Sequence, residues 1–261
     1  MDSPRASNIT KAYHLLFDYP LDKEELERWR AGDNLQFTIY NLQSISKKSS
    51  FQTKKKRRAT SLKKLKIARR AAKVLERIPA VRMIAVTGSL AMMNAHEESD
   101  IDLMTVTAKD TLWTTRIVAS LLLTAYGLRL RRSGDKEEKD KLCLNIWLDE
   151  GDLNWRKKNI FIAHEICQII PLVNKDKTYE KFLWQNKWVL GFWPKAVKIR
   201  KVSTGVAGQA WLIAPIVERL AFWIQYQYMR SKITRETVTK SRALFHPIDW
   251  SARLEKEFGR D

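Results

Sequence analysis

Residues 84–107 read IAVTGSLAMMNAHEESDIDLMTVT, and this stretch sets the expected fold. An apolar run of β type, Val81 to Val86, ends at Thr87-Gly88-Ser89, which predicts a strand entering a tight turn. Leu90 to Ala95 suits one brief helix, His96 to Ser99 a polar loop, and Asp100 to Thr107 a second strand headed by Asp-Ile-Asp.

The parts of this block have separate physical tasks. Gly88 lets the backbone approach a phosphate, Ser89 offers a hydroxyl, and the N–H groups opening the short helix favour an anion. Asp100 and Asp102 are two apart on a strand, so their carboxylates project from one face while Ile101 points to the core. Two carboxylates beside a phosphate turn suit Mg²⁺ or Mn²⁺, which takes its other ligands from water and phosphate oxygens.

Outward from the block, Thr111 to Tyr126 reads as a buried helix stopped by Gly127, and Leu142 to Leu148 as a third strand. Strict alternation there puts Leu142, Leu144, Ile146 and Leu148 on one face and Cys143, Asn145 and Trp147 on the other. In the other direction, Ile67, Ala71, Val74, Leu75 and Ile78 recur at helical spacing and predict a helix from about Leu62 to Ile78, stopped by Pro79. The order of elements implies an α/β (α+β) fold with a small mixed sheet, a helical C-terminal extension and a small helical N-terminal unit.

With Gly88, Ser89, Asp100, Ile101, Asp102 and Leu103 in place, the segment from Leu62 to Asp149 resembles the minimal nucleotidyltransferases of the DNA polymerase beta superfamily. The resemblance implies attack by an acceptor hydroxyl on the α-phosphate of a nucleoside triphosphate, with Asp100 and Asp102 as metal ligands and loss of pyrophosphate. It also implies a third carboxylate on the neighbouring strand. That position holds Asn145, which is isosteric with Asp but neutral and cannot act as a base. Asp149 at the strand end, or Asp152 beyond it, would substitute if the register differed.

Charge points to a polyanionic partner. The chain carries 48 Lys and Arg against 29 Asp and Glu, a net charge of +19. Thirteen of these cations lie at positions 47–73, and from Asn34 to Leu75 there is no acidic residue. Residues 46–61, with Lys54, Lys55, Lys56, Arg57 and Arg58, read as a basic mobile arm. Lys63, Lys64, Lys66, Arg69 and Arg70 follow on the expected helix. Together they form a candidate grip on nucleic acid, with RNA the expected acceptor, against the plainer reading of a solvated helix face.

The remaining assignments are brief. Residues 1–45 form the N-terminal unit, with a capping box at Asp22 and Glu25 and a likeness to the start of a winged helix, but no legible recognition helix. Residues 62–152 form the core and 153–261 the helical C-terminal region, with helices at Ile160–Ile169, Thr178–Val189, Pro215–Ser231 and Trp250–Phe258. His164-Glu165 lacks a second His at position 168, which is Gln, so a zinc-protease helix is excluded and His164 reads as structural. C-terminal aromatics such as Trp184, Trp188 and Trp223 read as core packing or as base-stacking surfaces. Cys143 and Cys167 make no disulfide framework. With no secretory leader and no transmembrane run, the expected setting is cytoplasmic.

Overall fold

The computed structural model describes residues 4–33, 35, 51–132, 134–203, 205, 215–231, 233–234 and 236–245. In chain order these form α1 (Pro4–Leu16), α2 (Lys23–Arg28), α3 (Phe51–Leu75), β1 (Val81–Val86), the helical turn α4 (Gly88–Ala91), β2 (Ile101–Thr107), α5 (Leu112–Ala125) and β3 (Leu142–Asp149). There follow α6 (Ile160–Gln168), β4 (Ile170–Asn174), α7 (Thr178–Gln185), a 3-10 turn at Lys187–Gly191, α8 (Pro215–Met229), β5 (Thr237–Val238) and β6 (Arg242–Leu244). The mixed α/β fold expected from the sequence is the fold observed.

One six-stranded sheet in the order β4-β1-β2-β3-β6-β5 runs through the molecule. β2 and β3 are parallel, and every other pairing is antiparallel. The β2–β3 crossover is α5, as a parallel pair requires a long connection. One face of the sheet is covered by α3, α5 and α8, with Leu75, Trp113, Leu123 and Trp147 in the shared core. The other is covered by α1, α6 and the Lys187–Gly191 turn, with Tyr13, Trp29, Phe182 and Trp193 fully or nearly fully buried.

Several expectations change on this scaffold. The N-terminal residues are no separate unit: Ile9, Tyr13 and Trp29 share a core with Met83 and Ala85 of β1. Their capping box is present, the Asp22 side chain accepting from Glu25 N–H and the Glu25 carboxylate from Asp22 N–H. The whole 36–50 stretch that a winged helix would need lies outside the described residues, as does the expected helix at Trp250–Phe258. The basic arm is helical from Phe51 onward, because Lys54 and Arg57 find partners that hold that turn against the protein. α5 is buried on one face only; Val118 and Leu121 are exposed on the other.

The C-terminal region supplies three strands as well as helices, so the sheet does not end at residue 152. β4 carries Pro171, which its place at the sheet edge tolerates. β6 is fastened by Arg242, almost fully buried, whose guanidinium pairs with both carboxylate oxygens of Asp152 and donates to the Asn154 carbonyl. Glu218 of α8 caps α5 from outside: its carboxylate accepts from Trp113 N–H at 2.6 Å and Thr114 N–H at 2.9 Å. A negative charge there compensates the unpaired N–H groups of the helix start.

Candidate active site

The site lies where β1 ends and β2 and β3 begin. β1 delivers Gly88 in a left-handed conformation, φ +60°, directly against β2. A Cβ on Gly88 would stand 2.6 Å from Asp102 Oδ2. Both the positive φ and this approach require glycine. The next residue, Ser89, is exposed, and the Thr87 N–H donates to the Asp102 carbonyl at 3.1 Å. The phosphate turn and the Asp pair expected from the sequence are therefore in contact.

Asp100, Asp102 and Cys143 each offer a ligand atom, and these atoms lie within 4.8 Å of one another. Register explains the third member: in the parallel β2–β3 pair Asp102 stands opposite Cys143. Asp100 accepts a hydrogen bond from Arg131 Nη1 at 2.6 Å, and Arg131 also pairs with Glu138. Asp102 Oδ1 accepts from Asn145 Nδ2 at 2.6 Å. The Asp102 carboxyl is pushed up to about 7, first by burial and then by the charge of Asp100, with Arg131 pulling the other way. Burial, then the charges of Asp102 and Asp100, drives the Cys143 thiol well above its ordinary range.

The strand carrying Asn145 departs from simple alternation. Register slips between the Asp102 and Met104 pairings, so one extra β3 residue is accommodated and the faces exchange. Leu142 and Leu144 pack on the helix-α3 side, but Ile146 and Leu148 join the opposite core, and Trp147 is fully buried on the α3 side. The expected outward Trp147 is thus corrected. Asn145 keeps its predicted place beside Asp102 because it precedes the change of phase.

Asp149 does not reach the site. It pairs with Thr107 at the far end of β3, about 16 Å along the sheet from the level of Asp102 at the usual strand rise. Its carboxylate accepts from the N–H groups of Asp110 at 2.6 Å and Gly151 at 2.7 Å, closing the turns at that end. Asp152 is engaged by Arg242 there. Neither substitutes for a third carboxylate.

The basic residues divide into two sets. Lys64 is 1% exposed and donates to the Glu97 carbonyl at 2.9 Å, the Ser99 carbonyl at 2.7 Å and Asp140 at 2.7 Å. It pins the loop that leads into Asp100. Lys54 is paired with Glu25 and Asp22, and Arg57 bonds the Asp18 carbonyl and Asn94 Oδ1, each at 3.0 Å. These three are structural, a correction to their reading as nucleic-acid contacts. Lys55, Lys56, Arg58, Lys63, Lys66, Arg69 and Arg70 are exposed along α3, although Arg70 also donates to the Tyr126 carbonyl.

Sequence reasoning missed Glu165, which it weighed only as part of an absent zinc motif. On α6 this half-buried carboxyl accepts from Gln168 Nε2 at 2.6 Å. It is pushed up to about 8, chiefly by burial and next by the charge of Asp102. Nothing in its sequence context signals that neighbourhood, which arises because α6 packs on the Asp102 face of the sheet. His164 is structural, as expected: its Nε2 lies 3.1 Å from His14 Nε2 in a cluster with Trp29 and Trp193.

No protein-family model and no curated protein matches the chain. Among solved structures, it is similar to a toxin–antitoxin crystal structure with AMP-PNP, at 15% identity and TM-score 0.28, covering 63% of this chain and 96% of that one. A mutant MntA–HpeT toxin–antitoxin complex is similar at 14% identity and TM-score 0.26, with 66% and 96% covered. A tri-AMPylated Shewanella oneidensis HEPN toxin in complex with MNT antitoxin is similar at 14% identity and TM-score 0.24, with 51% and 89% covered.

Proposed function

We propose that this protein is a metal-dependent nucleotidyltransferase that moves a nucleotide from a nucleoside triphosphate to an acceptor hydroxyl, with RNA as the acceptor. The observation that carries the reading is the seating of Gly88 on the Asp102 carboxylate. A triphosphate held at the Gly88-Ser89 turn would lie beside the two carboxylates, and no separate loop movement is needed to bring turn and acids together.

The donor set fits a divalent ion. Asp102 is pushed toward protonation first by burial and then by the charge of Asp100, and a cation held by Asp100 and Asp102 relieves that. The Asn145 Oδ1 atom beside them is buried without a partner. When bound, such an ion neutralises phosphate charge and orients an in-line attack. The chain's own residues do the rest. Arg131 holds Asp100 in its rotamer, Asn145 orients Asp102, and Lys64 fixes the loop before Asp100. The exposed cations of α3 supply a surface for an RNA backbone.

The test is incubation with each of four α-labelled nucleoside triphosphates, Mg²⁺ or Mn²⁺, and total RNA, with Asp102→Ala as control. Label in RNA that vanishes in the variant supports the reading. Label in protein or in a small molecule moves the acceptor to that class. A second reading, a catalytically degenerate protein that binds nucleotide and nucleic acid, is favoured by the neutral Asn145 beside Asp102. It predicts nucleotide binding with no label transferred to anything.

A further inference from the structure

We propose that Cys143 is a ligand of the divalent-cation site, and that the resulting thiolate and two carboxylates select a thiophilic ion of the Zn²⁺ or Co²⁺ type over Mg²⁺. The proposal deepens the nucleotidyltransferase reading by naming the metal class, and it rests on that reading only for the use of Asp100 and Asp102.

Geometry is the first support. The three ligand atoms lie within 4.8 Å of one another, whereas ligands of a tetrahedral ion with bonds of 2.0–2.3 Å are about 3.3–3.8 Å apart. Contraction by roughly 1 Å closes the set, within reach of side-chain rotation. Cys143 is brought there by backbone register opposite Asp102, so its position is fixed by the sheet.

Asn145 is the second, independent support. Its side chain is 5% exposed, its Nδ2 donates to Asp102 Oδ1, and its Oδ1 has no hydrogen-bond partner. An orphaned buried acceptor is costly, and this one adjoins the ligand set. Its amide stands in hydrogen-bond contact with a member of that set.

Charge balance is the third. Two carboxylates and a thiolate sum to −3, most of which a divalent ion and the Arg131 guanidinium, shared with Glu138, offset. Arg131 engages Asp100 Oδ2 and leaves Oδ1 to the metal. The step is a proton-for-metal exchange: the Cys143 S–H bond breaks, the sulfur lone pair forms the S–metal bond, and the proton leaves to solvent. Softness then decides selectivity, since thiolate favours Zn²⁺ or Co²⁺ and Mg²⁺ prefers an all-oxygen shell.

Titration of the full chain with Co²⁺, without nucleotide, tests this. The expected result is a sulfur-to-cobalt charge-transfer band in the near ultraviolet, saturating at one equivalent, displaced by Zn²⁺ and unmoved by a large excess of Mg²⁺. Cys143→Ser should abolish the band and weaken Zn²⁺ binding by at least about tenfold, whereas Cys167→Ser should retain it. Cys143→Asp should lose the band yet gain affinity for Mg²⁺, a readout that a misfolded variant cannot give. Absence of the band in the parent, or Zn²⁺ affinity unchanged in Cys143→Ser, overturns the proposal. A band without nucleotide transfer in the presence of Zn²⁺ or Co²⁺ leaves the metal assignment standing and removes the transferase reading; full Mg²⁺-supported transfer by a parent protein that gives no band does the reverse.

Discussion

Gly88 and Asp102 are in direct contact: the position that any Cβ on Gly88 would take is 2.6 Å from Asp102 Oδ2, and Gly88 holds φ +60°. The turn that ends β1 and the carboxylate that opens β2 are thereby one structural unit. Gly88→Ala forces an L-residue into the left-handed region, at a cost of about 1–2 kcal/mol, and pushes the Asp102 carboxylate aside. Nucleotide transfer should fall by far more than stability does. Comparison of thermal midpoint with incorporation rate checks this, and an active Gly88→Ala would separate the turn from the chemistry.

Lys64 is the buried support of the loop before Asp100. Lys64→Met leaves two carbonyls and the partly exposed Asp140 without their donor, which should cost roughly 3 kcal/mol. Lys63→Met on the exposed face should cost almost nothing. Urea unfolding of both variants decides whether this basic helix is partly an internal strut.

If RNA binds along α3, the slope of log affinity against log salt should flatten when the exposed cations are neutralised. Replacing Lys55, Lys56, Arg58, Lys63, Lys66 and Arg69 together should reduce the slope by up to about 4 for single-stranded RNA. Neutralising Lys54, Arg57 and Lys64 instead should lower stability and change the slope little. An unchanged slope in the six-residue variant places the contact elsewhere.

Asp149→Ala should destabilise the turns at Asp110 and Gly151 by about 1–3 kcal/mol and leave the transfer rate of the folded protein unaltered. Asp100→Ala and Asp102→Ala should do the opposite. Specific activity, corrected for folded fraction, distinguishes the two ends of the sheet.

His14 and His164 meet in the core through their Nε2 atoms, and the His14 Nδ1 lies 2.8 Å from the Thr10 carbonyl. Nδ1–H of His14 therefore donates to Thr10, and His164 Nε2–H donates to His14 Nε2. Burial lowers His14 to about 4 and His164 well below its ordinary value. Both stay neutral when folded but take protons near pH 6.5 when unfolded. Their contribution to stability is complete above pH 6.5 and is lost as pH falls from there toward about 4. Denaturant midpoints across that window should drop, and the drop should shrink in His164→Gln.

The local pattern of residues 81–107 was enough to determine strand, Gly-Ser turn and Asp pair, because each depends on near neighbours: β-type apolar runs, a glycine that alone tolerates the turn, and a two-residue spacing that puts carboxylates on one face. The helical spacing of α3 and the Asp22–Glu25 cap were legible for the same reason. The partners of Lys54, Arg57 and Lys64 were not, since a basic residue reads alike whether its ammonium meets water or a carbonyl 33 positions away in sequence, as with Lys64 and Glu97. Nor was the change of face after Asn145, which comes from a register slip against β2 and hides within an unbroken apolar alternation. Short strands such as β5 and β6 carry too few residues for a period, and only the pairing of β6 to β3 and of β5 to β6 makes them strands. The sequence by itself determined the acids and their turn; tertiary structure decided their company, placing Cys143 opposite Asp102, bringing Glu165 within reach of its charge and sending Asp149 to the far end of the sheet. Chain neighbours set the first through covalent geometry, whereas the second depends on strand register and helix packing between residues tens of positions apart.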